Sequence, residues 1–273
     1  MFEDINKVLL ITDMDGTFLP SSKIPGSKTL DAVDRFQKAG GKFSIATGRS
    51  LQASQQYFDT VTVNCPIIMC NGGMIYDINT RRQIYDVYVP RETKHIVKQI
   101  LADNDYVGCE VLKLDNVYVP QLTPIEEKHL KICKVNDPVI CGIDDIADDW
   151  YKVLFAVEPE DMDRLIDYVQ TQGFEGVDFV RSASEYYEIL PQNISKGYAL
   201  GMMREVCDMS DYTFVAVGDY NNDIEMIVEA DVGICPSNAT PDVKAAADII
   251  LDQSCEQDAV AAVIEYIFEK NKH

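Results

Sequence analysis

The chain has 273 residues, more than the commonest single domain of about 100–150 residues and few for two large ones, so one main domain carrying an insert fits. With 47% hydrophobic, 9% aromatic and 25% charged residues it can bury a sizeable core, and bulk disorder is excluded. Lysine and arginine number 24 against 45 acidic residues, a formal charge of −21, and that field repels nucleic acid and anionic membrane surfaces.

The same field opposes an anionic small molecule, so any phosphate site must bring its own positive charge from a metal, a lysine or arginine, or backbone amides. The eight cysteines are scattered, form no C-x-x-C pair and often have apolar neighbours, as in Ile67-Ile68-Met69-Cys70. They read as reduced, mostly buried thiols of a cytoplasmic protein, not as a zinc site or a disulfide framework. The apolar run before Asp13 is short, and no stretch reaches the ~20 residues of a membrane span. Cytoplasmic residence is expected, and no obligate protein partner is evident.

In chain order, residues 8–12 read as a strand. Residues 27–39 place Leu30, Val33 and Phe36 at helical spacing and stop at Gly40-Gly41. A strand at 43–46, a helix at 50–58 and a strand at 66–70 complete a pattern of βαβ units on a parallel sheet. After Asn71-Gly72-Gly73 come two hairpin-like pieces, 74–78 and 83–89. From about residue 90 to 184 crossover alternation is lost, and helical patterns at 92–103 and 159–172 stand among strand-like runs at 108–114, 151–157 and 177–180. The parallel pattern resumes with a strand at 187–190, a helix at 196–207, a strand at 213–217 and a helix at 221–229, and ends with a helix at 257–268. The expected organisation is an α/β, doubly wound parallel-sheet core formed by residues 1–84 and 188–273, interrupted by an α+β cap at 85–187.

In a doubly wound sheet, ligands bind outside the carboxyl ends of the strands. Four such ends lead into Asp13-Met14-Asp15-Gly16-Thr17, Thr47-Gly48-Arg49, Asn71-Gly72-Gly73 and Gly218-Asp219-Tyr220-Asn221-Asn222-Asp223. On a parallel sheet they share one rim, and carboxylates gathered there repel unless a cation sits among them. Hard oxygen donors point to Mg²⁺ and away from zinc. Taken singly, each segment has a plainer meaning: Asp-Gly and Asn-Gly are common turns, Lys196 reads as a solvated surface lysine, and Arg49 as a surface ion-pair partner. A calcium-loop interpretation fails, because the positions that need glycine and glutamate hold Phe18 and Ile24. His95, His129 and His273 have no partner at triad spacing and are assigned no catalytic task.

The ordered set Asp13-x-Asp15-Gly16-Thr17, Thr47-Gly48-Arg49, Lys196-Gly197 and Gly218-Asp219-x-x-Asn222-Asp223 resembles the four motifs of the haloacid dehalogenase superfamily. The Asn71-Gly72-Gly73 turn, the place of the insert, and Ala230-Asp231-x-Gly233-Ile234 with Asn238-Ala239 resemble its Cof-like phosphatases, which carry a C2B-type cap. The resemblance implies a Rossmann-like core and an Mg²⁺-dependent phosphatase acting on a small-molecule phosphate ester. Sugar phosphates come first, with flavin mononucleotide and pyridoxal phosphate behind them. It implies Asp13 as the nucleophile that forms an aspartyl phosphate and Asp15 as acid and base. Thr47, Lys196 and Asn222 would hold phosphoryl oxygens, with Arg49 and the backbone of Met14 and Gly48 beside them. Mg²⁺ would be held by Asp13, the Asp15 carbonyl and Asp219, with Asp223 orienting a metal-bound water or Lys196.

Two departures bear on substrate. Cys235-Pro236-Ser237 stands where the family has a small residue and methionine, and Asp258-Ala259 stands where a glycine is common. In the insert, Glu110, Lys113, Tyr118, Tyr151, Arg181 and Tyr186 are the polar and aromatic candidates for specificity, Tyr118 and Tyr151 reading also as packing residues. A phosphotransferase or mutase on the same scaffold and a noncatalytic phosphometabolite-binding protein are the alternatives.

Overall fold

The apolar run at the amino end becomes a strand buried along its whole length, as a strand covered on both faces must be. The computed structural model describes residues 2–271, so His273 lies outside the described residues. Along the chain come β1 (Val8–Asp13), α1 (Ser27–Lys38), β2 (Lys42–Ala46), α2 (Leu51–Phe58), β3 (Ile67–Met69), β4 (Met74–Asp77) and β5 (Arg82–Asp86). Next are α3 (Thr93–Asp103), β6 (Gly108–Leu112), β7 (Val117–Gln121), α4 (Pro124–Cys133), β8 (Val139–Ile140), β9 (Lys152–Ala156), α5 (Met162–Gln172), β10 (Val177–Arg181) and β11 (Tyr186–Pro191). The last are α6 (Lys196–Val206), β12 (Thr213–Val217), α7 (Ile224–Glu229), β13 (Val232–Cys235), α8 (Pro241–Ala246), β14 (Ile249–Ile250) and α9 (Ala259–Asn271). Two compact units result, one from the segments up to Gly48, Tyr57–Tyr85 and from Ser195 onward, the other from Arg49–Gln56 and Asp86–Ile194.

The first unit is built on a sheet ordered β14-β13-β12-β1-β2-β3-β4-β5. Its strands run parallel from β14 through β3, and β4 is antiparallel to β3. Asp13 stands opposite Ala46, Thr12 opposite Val217, and Ala46 opposite Ile68, so the carboxyl ends of β1, β2, β3 and β12 emerge along one edge. Ala199, Leu200 and Met203 of α6 and Met226 of α7 pack with Leu9 and Ile11 of β1 and Phe214 and Ala216 of β12. α1 packs along β2 and against α9, where the rings of Phe36 and Phe268 are 6.3 Å apart.

The second unit is a sheet ordered β10-β11-β9-β6-β7-β8, antiparallel except for the β7–β8 pair. Alternation puts Cys109, Val111, Val153, Phe155, Tyr187 and Ile189 on the face that packs with Val97 and Ile100 of α3 and Leu165 and Val169 of α5. α4 lies against β6 and β9. Among the described residues no helix is long and apolar enough to cross a membrane.

Residues 187–190 do not return to the parallel core as expected. They form the body of β11, antiparallel to both β9 and β10, so the proposed boundary at 187/188 falls inside a strand and the first unit resumes at Ser195. A short apolar run does not reveal the direction of its neighbours. The insert also carries a helix the sequence analysis passed over. α4 has a Thr123 cap, Pro124 in its first turn, Glu126 and Glu127 beside them, and Ile125, Leu130 and Cys133 turned inward, which together are the ordinary signs of a helix start.

Candidate active site

Beyond Asp13 the chain turns back on itself. The Leu19 N–H donates to the Met14 carbonyl at 2.7 Å and the Gly16 N–H to the Leu19 carbonyl at 3.1 Å. Gly16 holds φ +89, and a Cβ there would come within 2.5 Å of Asp219 Oδ2; only glycine lets this backbone lie against Asp219. Thr17 Oγ1 donates to Asp219 Oδ1 at 2.6 Å, and Asn238 Nδ2 donates to the Gly16 carbonyl at 2.9 Å.

On the other side of the rim, the Ser195 side chain caps α6 by accepting from the Tyr198 N–H at 3.1 Å. That cap fixes Lys196 at the start of the helix, 1% exposed. Its Nζ donates to Asp13 Oδ1 at 2.6 Å and to Asp223 Oδ1 at 2.7 Å. The second oxygen of Asp223 accepts the N–H groups of Asp219 at 2.9 Å and Tyr220 at 3.1 Å. Asp223 thus fixes both the lysine and the loop that carries Asp219.

Carboxylate oxygens of Asp13, Asp219 and Asp223 lie within 4.8 Å of one another. Burial pushes the Asp13 carboxyl well above its ordinary range, Lys196 pulling against it and Asp223 and Asp219 adding to it. Burial and the neighbouring Asp223 push Asp219 up to about 7. Burial by itself lowers Lys196, but Asp13 and Asp223 outweigh it and hold the ammonium above the usual lysine value. Three carboxylates face one ammonium, so a divalent cation would neutralise the local charge. With oxygen donors alone, these residues fit a hard ion of the magnesium type.

Thr47 is buried; its N–H donates to the Ile68 carbonyl at 2.9 Å and its carbonyl accepts from the Asn71 N–H at 3.1 Å. A Cβ on Gly48 would meet Asn71 Oδ1 at 2.8 Å, and that oxygen accepts from Asn222 Nδ2 at 3.1 Å. The Met14 side chain is fully buried. Asp15 Oδ1 accepts from Lys23 Nζ at 2.6 Å. Arg49, in the second unit, donates through Nη1 to the Ala53 carbonyl at 3.1 Å. Thr17, Asn71 and Asn238 join the site through these hydrogen bonds, a part that nothing in their motifs announces.

In the second unit, Glu110 is buried with its Oε1 3.3 Å from His129 Nε2, and the His129 ring lies 4.5 Å from that of Tyr186. Tyr151 and Tyr118 donate to Asp86 at 2.6 Å and Asp115 at 2.7 Å. Lys113 and Arg181 donate to backbone carbonyls.

Residues 10–264 match the family model described as haloacid dehalogenase-like hydrolase. The chain is a haloacid dehalogenase-like hydrolase. A haloacid dehalogenase-like hydrolase from Bacteroides thetaiotaomicron superposes on it with a TM-score of 0.83 at 24% identity, over 96% of this chain and 99% of that one. Among curated relatives of this hydrolase, the 5-amino-6-(5-phospho-D-ribitylamino)uracil phosphatase YitU of Bacillus subtilis is 25% identical over 95% of this chain and 97% of its own length. The pyridoxal phosphate phosphatase YbhA of Escherichia coli is 25% identical over 94% and 97%. The likeness therefore runs through the insert as well as the core.

Proposed function

We propose that the chain is an Mg²⁺-dependent phosphatase that removes phosphate from a small soluble ester through an aspartyl phosphate on Asp13. The observation that carries this is the buried Lys196 ammonium joined to Asp13 and Asp223 inside a cluster of three carboxylates. Lys196 holds the Asp13 carboxylate in one position, and three carboxylates gathered around one ammonium fit a divalent ion. Asp13 and Asp219, with the Asp15 carbonyl, would hold the ion; Asp223, already accepting from Lys196 and two backbone N–H groups, braces them. When bound, Mg²⁺ would polarise a phosphoryl oxygen and offset the charge between it and Asp13.

Asp13 attacks phosphorus in line as the ester oxygen departs, and Asp15 gives that oxygen its proton. Water then attacks the aspartyl phosphate while Asp15 takes the proton back, which splits one difficult hydrolysis into two easier steps. Lys196, Thr47 and Asn222 hold the phosphoryl oxygens, with the backbone at Met14 and Gly48 beside them. The relatives named above act on a ribityl phosphate and on pyridoxal phosphate, which supports a small phosphomonoester; within that class sugar phosphates are our choice. Eight cysteines with no disulfide among the described residues favour a reducing compartment, the cytoplasm.

The test is phosphate release from a panel of metabolite esters. Wild type is expected to turn over at least one of them with Mg²⁺, to stop in excess chelator and to recover when Mg²⁺ is restored. Asp13→Asn is expected to be folded and silent. Activity surviving in that variant, or in excess chelator, would refute the mechanism.

A further inference from the structure

The insert buries two carboxyl groups for which the chain supplies too few partners. Glu126 of α4 is fully buried and Glu110 of β6 is 4% exposed, yet both Glu126 oxygens and Glu110 Oε2 make no hydrogen bond. Buried oxygens left so cost stability unless a proton or a cation joins them. Room for Glu126 depends on Gly108 of β6: a Cβ there would come within 2.6 Å of the Glu126 Cβ and 3.3 Å of its Oε2. Glu126 therefore lies against the strand that carries Glu110.

Donors of other kinds stand beside the two carboxyls. Glu126, His129 and Cys133 follow one another at i, i+3 and i+7, so α4 turns all three inward on one face. Glu-x-x-His is a spacing by which a helix presents a carboxylate and an imidazole to one ion. His129 Nε2 is 3.3 Å from Glu110 Oε1 and 3.8 Å from Cys133 Sγ. The first distance is long for a hydrogen bond between charged groups, which closes to about 2.7–2.9 Å. The bond lengths of tetrahedral zinc sites put neighbouring ligands about 3.3 Å apart for nitrogen and oxygen and about 3.6 Å for nitrogen and sulfur. The Tyr186 ring, 4.5 Å from that of His129, covers the side toward β11.

We propose that Glu110, Glu126, His129 and Cys133 form a binding site for a divalent transition ion of the zinc type, which ties α4 to β6. Two oxygens, a nitrogen and a sulfur suit zinc and disfavour magnesium. His129 and Glu110 already stand at ligand separation. Glu126 joins them by rotation of its side chain, which breaks no hydrogen bond because its oxygens make none. When no ion is bound, burial keeps a proton on Glu126, and ligation releases it. Of the eight cysteines only Cys133 takes part, so no cysteine spacing announces the site. It lies within the insert and does not depend on the function proposed for Asp13, Asp219 and Asp223.

The experiment uses the full chain carrying Asp219→Asn, which weakens the carboxylate cluster of the first unit, stripped with chelator and titrated with Zn²⁺ by calorimetry. One Zn²⁺ per chain is expected, with Tm raised by roughly 5 °C or more at a large excess over Kd. In the same background, Glu126→Gln and His129→Gln, each checked for folding by circular dichroism, should bind at least about tenfold more weakly. Cobalt(II) in place of zinc reads the sulfur. The otherwise wild-type chain is expected to show a thiolate-to-cobalt charge-transfer band, which oxygen ligands cannot give, and Cys133→Ser to lose it. No Zn²⁺ bound, unchanged affinity in Glu126→Gln and His129→Gln, a missing band, or a band that persists in Cys133→Ser would each overturn the proposal. The zinc stoichiometry and the first cobalt spectrum leave all four donors in place, so they decide even where a variant unfolds.

Discussion

Lys196 stands at the first position of α6, where the helix dipole disfavours a cation, and its ammonium is buried. Asp13 and Asp223, at 2.6 and 2.7 Å, outweigh both penalties. Removing the lysine leaves two buried carboxylates facing each other, so Lys196→Met should lower stability by about 3 kcal/mol. It should also lower kcat by about a hundredfold or more through loss of the group that meets the phosphoryl charge. Denaturant unfolding and steady-state kinetics measure the two losses, and wild-type values in both would remove both roles from Lys196. Asp13, Asp219 and Asp223 were legible in the sequence because strand ends followed by carboxylates have few structural uses, whereas Lys196, which by itself reads as a surface lysine, was legible only through the resemblance. Thr17, Asn71 and Asn238 were not: a hydroxyl or amide takes its meaning from what it faces, and Thr17 faces a carboxylate 202 positions away.

At the scale of elements, α4 brings Glu126, His129 and Cys133 against β6, which carries Cys109 and Glu110, with Tyr186 of β11 beside His129. Among the described residues, both Glu126 oxygens and Glu110 Oε2 are buried with no hydrogen-bond partner. Burial, then the Glu110 charge, pushes Glu126 up to about 9. Burial works to lower His129, but Glu110 and Cys133 hold it well above its ordinary value. Both groups are raised, so each keeps in the fold a proton that the unfolded chain has lost. Their contribution is complete below their unfolded values and disappears as pH climbs through the folded ones; for Glu126 that window runs from about 4.5 to about 9. One such proton is worth at most about 1.4 kcal/mol per pH unit. Thermal unfolding of wild type should therefore show falling stability from pH 5 to 9, and Glu126→Gln, which keeps the shape without the titration, should flatten that slope. Parallel slopes in the two proteins would contradict a proton retained on Glu126. The sequence did show an α+β insert but hid α4 and the partners of β11, because neither a capped ten-residue helix nor a six-residue strand discloses which face it will meet.

The whole molecule carries −21, and the positive groups placed at the candidate site are few. A field of that sign slows the approach of an anionic ester, and its reach shrinks from about 30 Å at 0.01 M salt to about 8 Å at 0.15 M. At fixed, saturating Mg²⁺, kcat/KM should accordingly rise across that range; a steady fall would show that the local positive potential at the rim dominates the approach. The division into an α/β unit and an α+β insert was visible in the change from crossover alternation to hairpins, while its true edges depended on pairings that no local pattern records. In the mechanism proposed above, phosphorus passes through Asp13 whatever the substrate. The most direct measurement is to quench wild type during turnover of a phosphate-labelled ester, digest it in acid and map the label by mass spectrometry. Label on the peptide containing Asp13, absent from Asp13→Asn, is the predicted result; turnover with no labelled enzyme, or label on another residue, would contradict it.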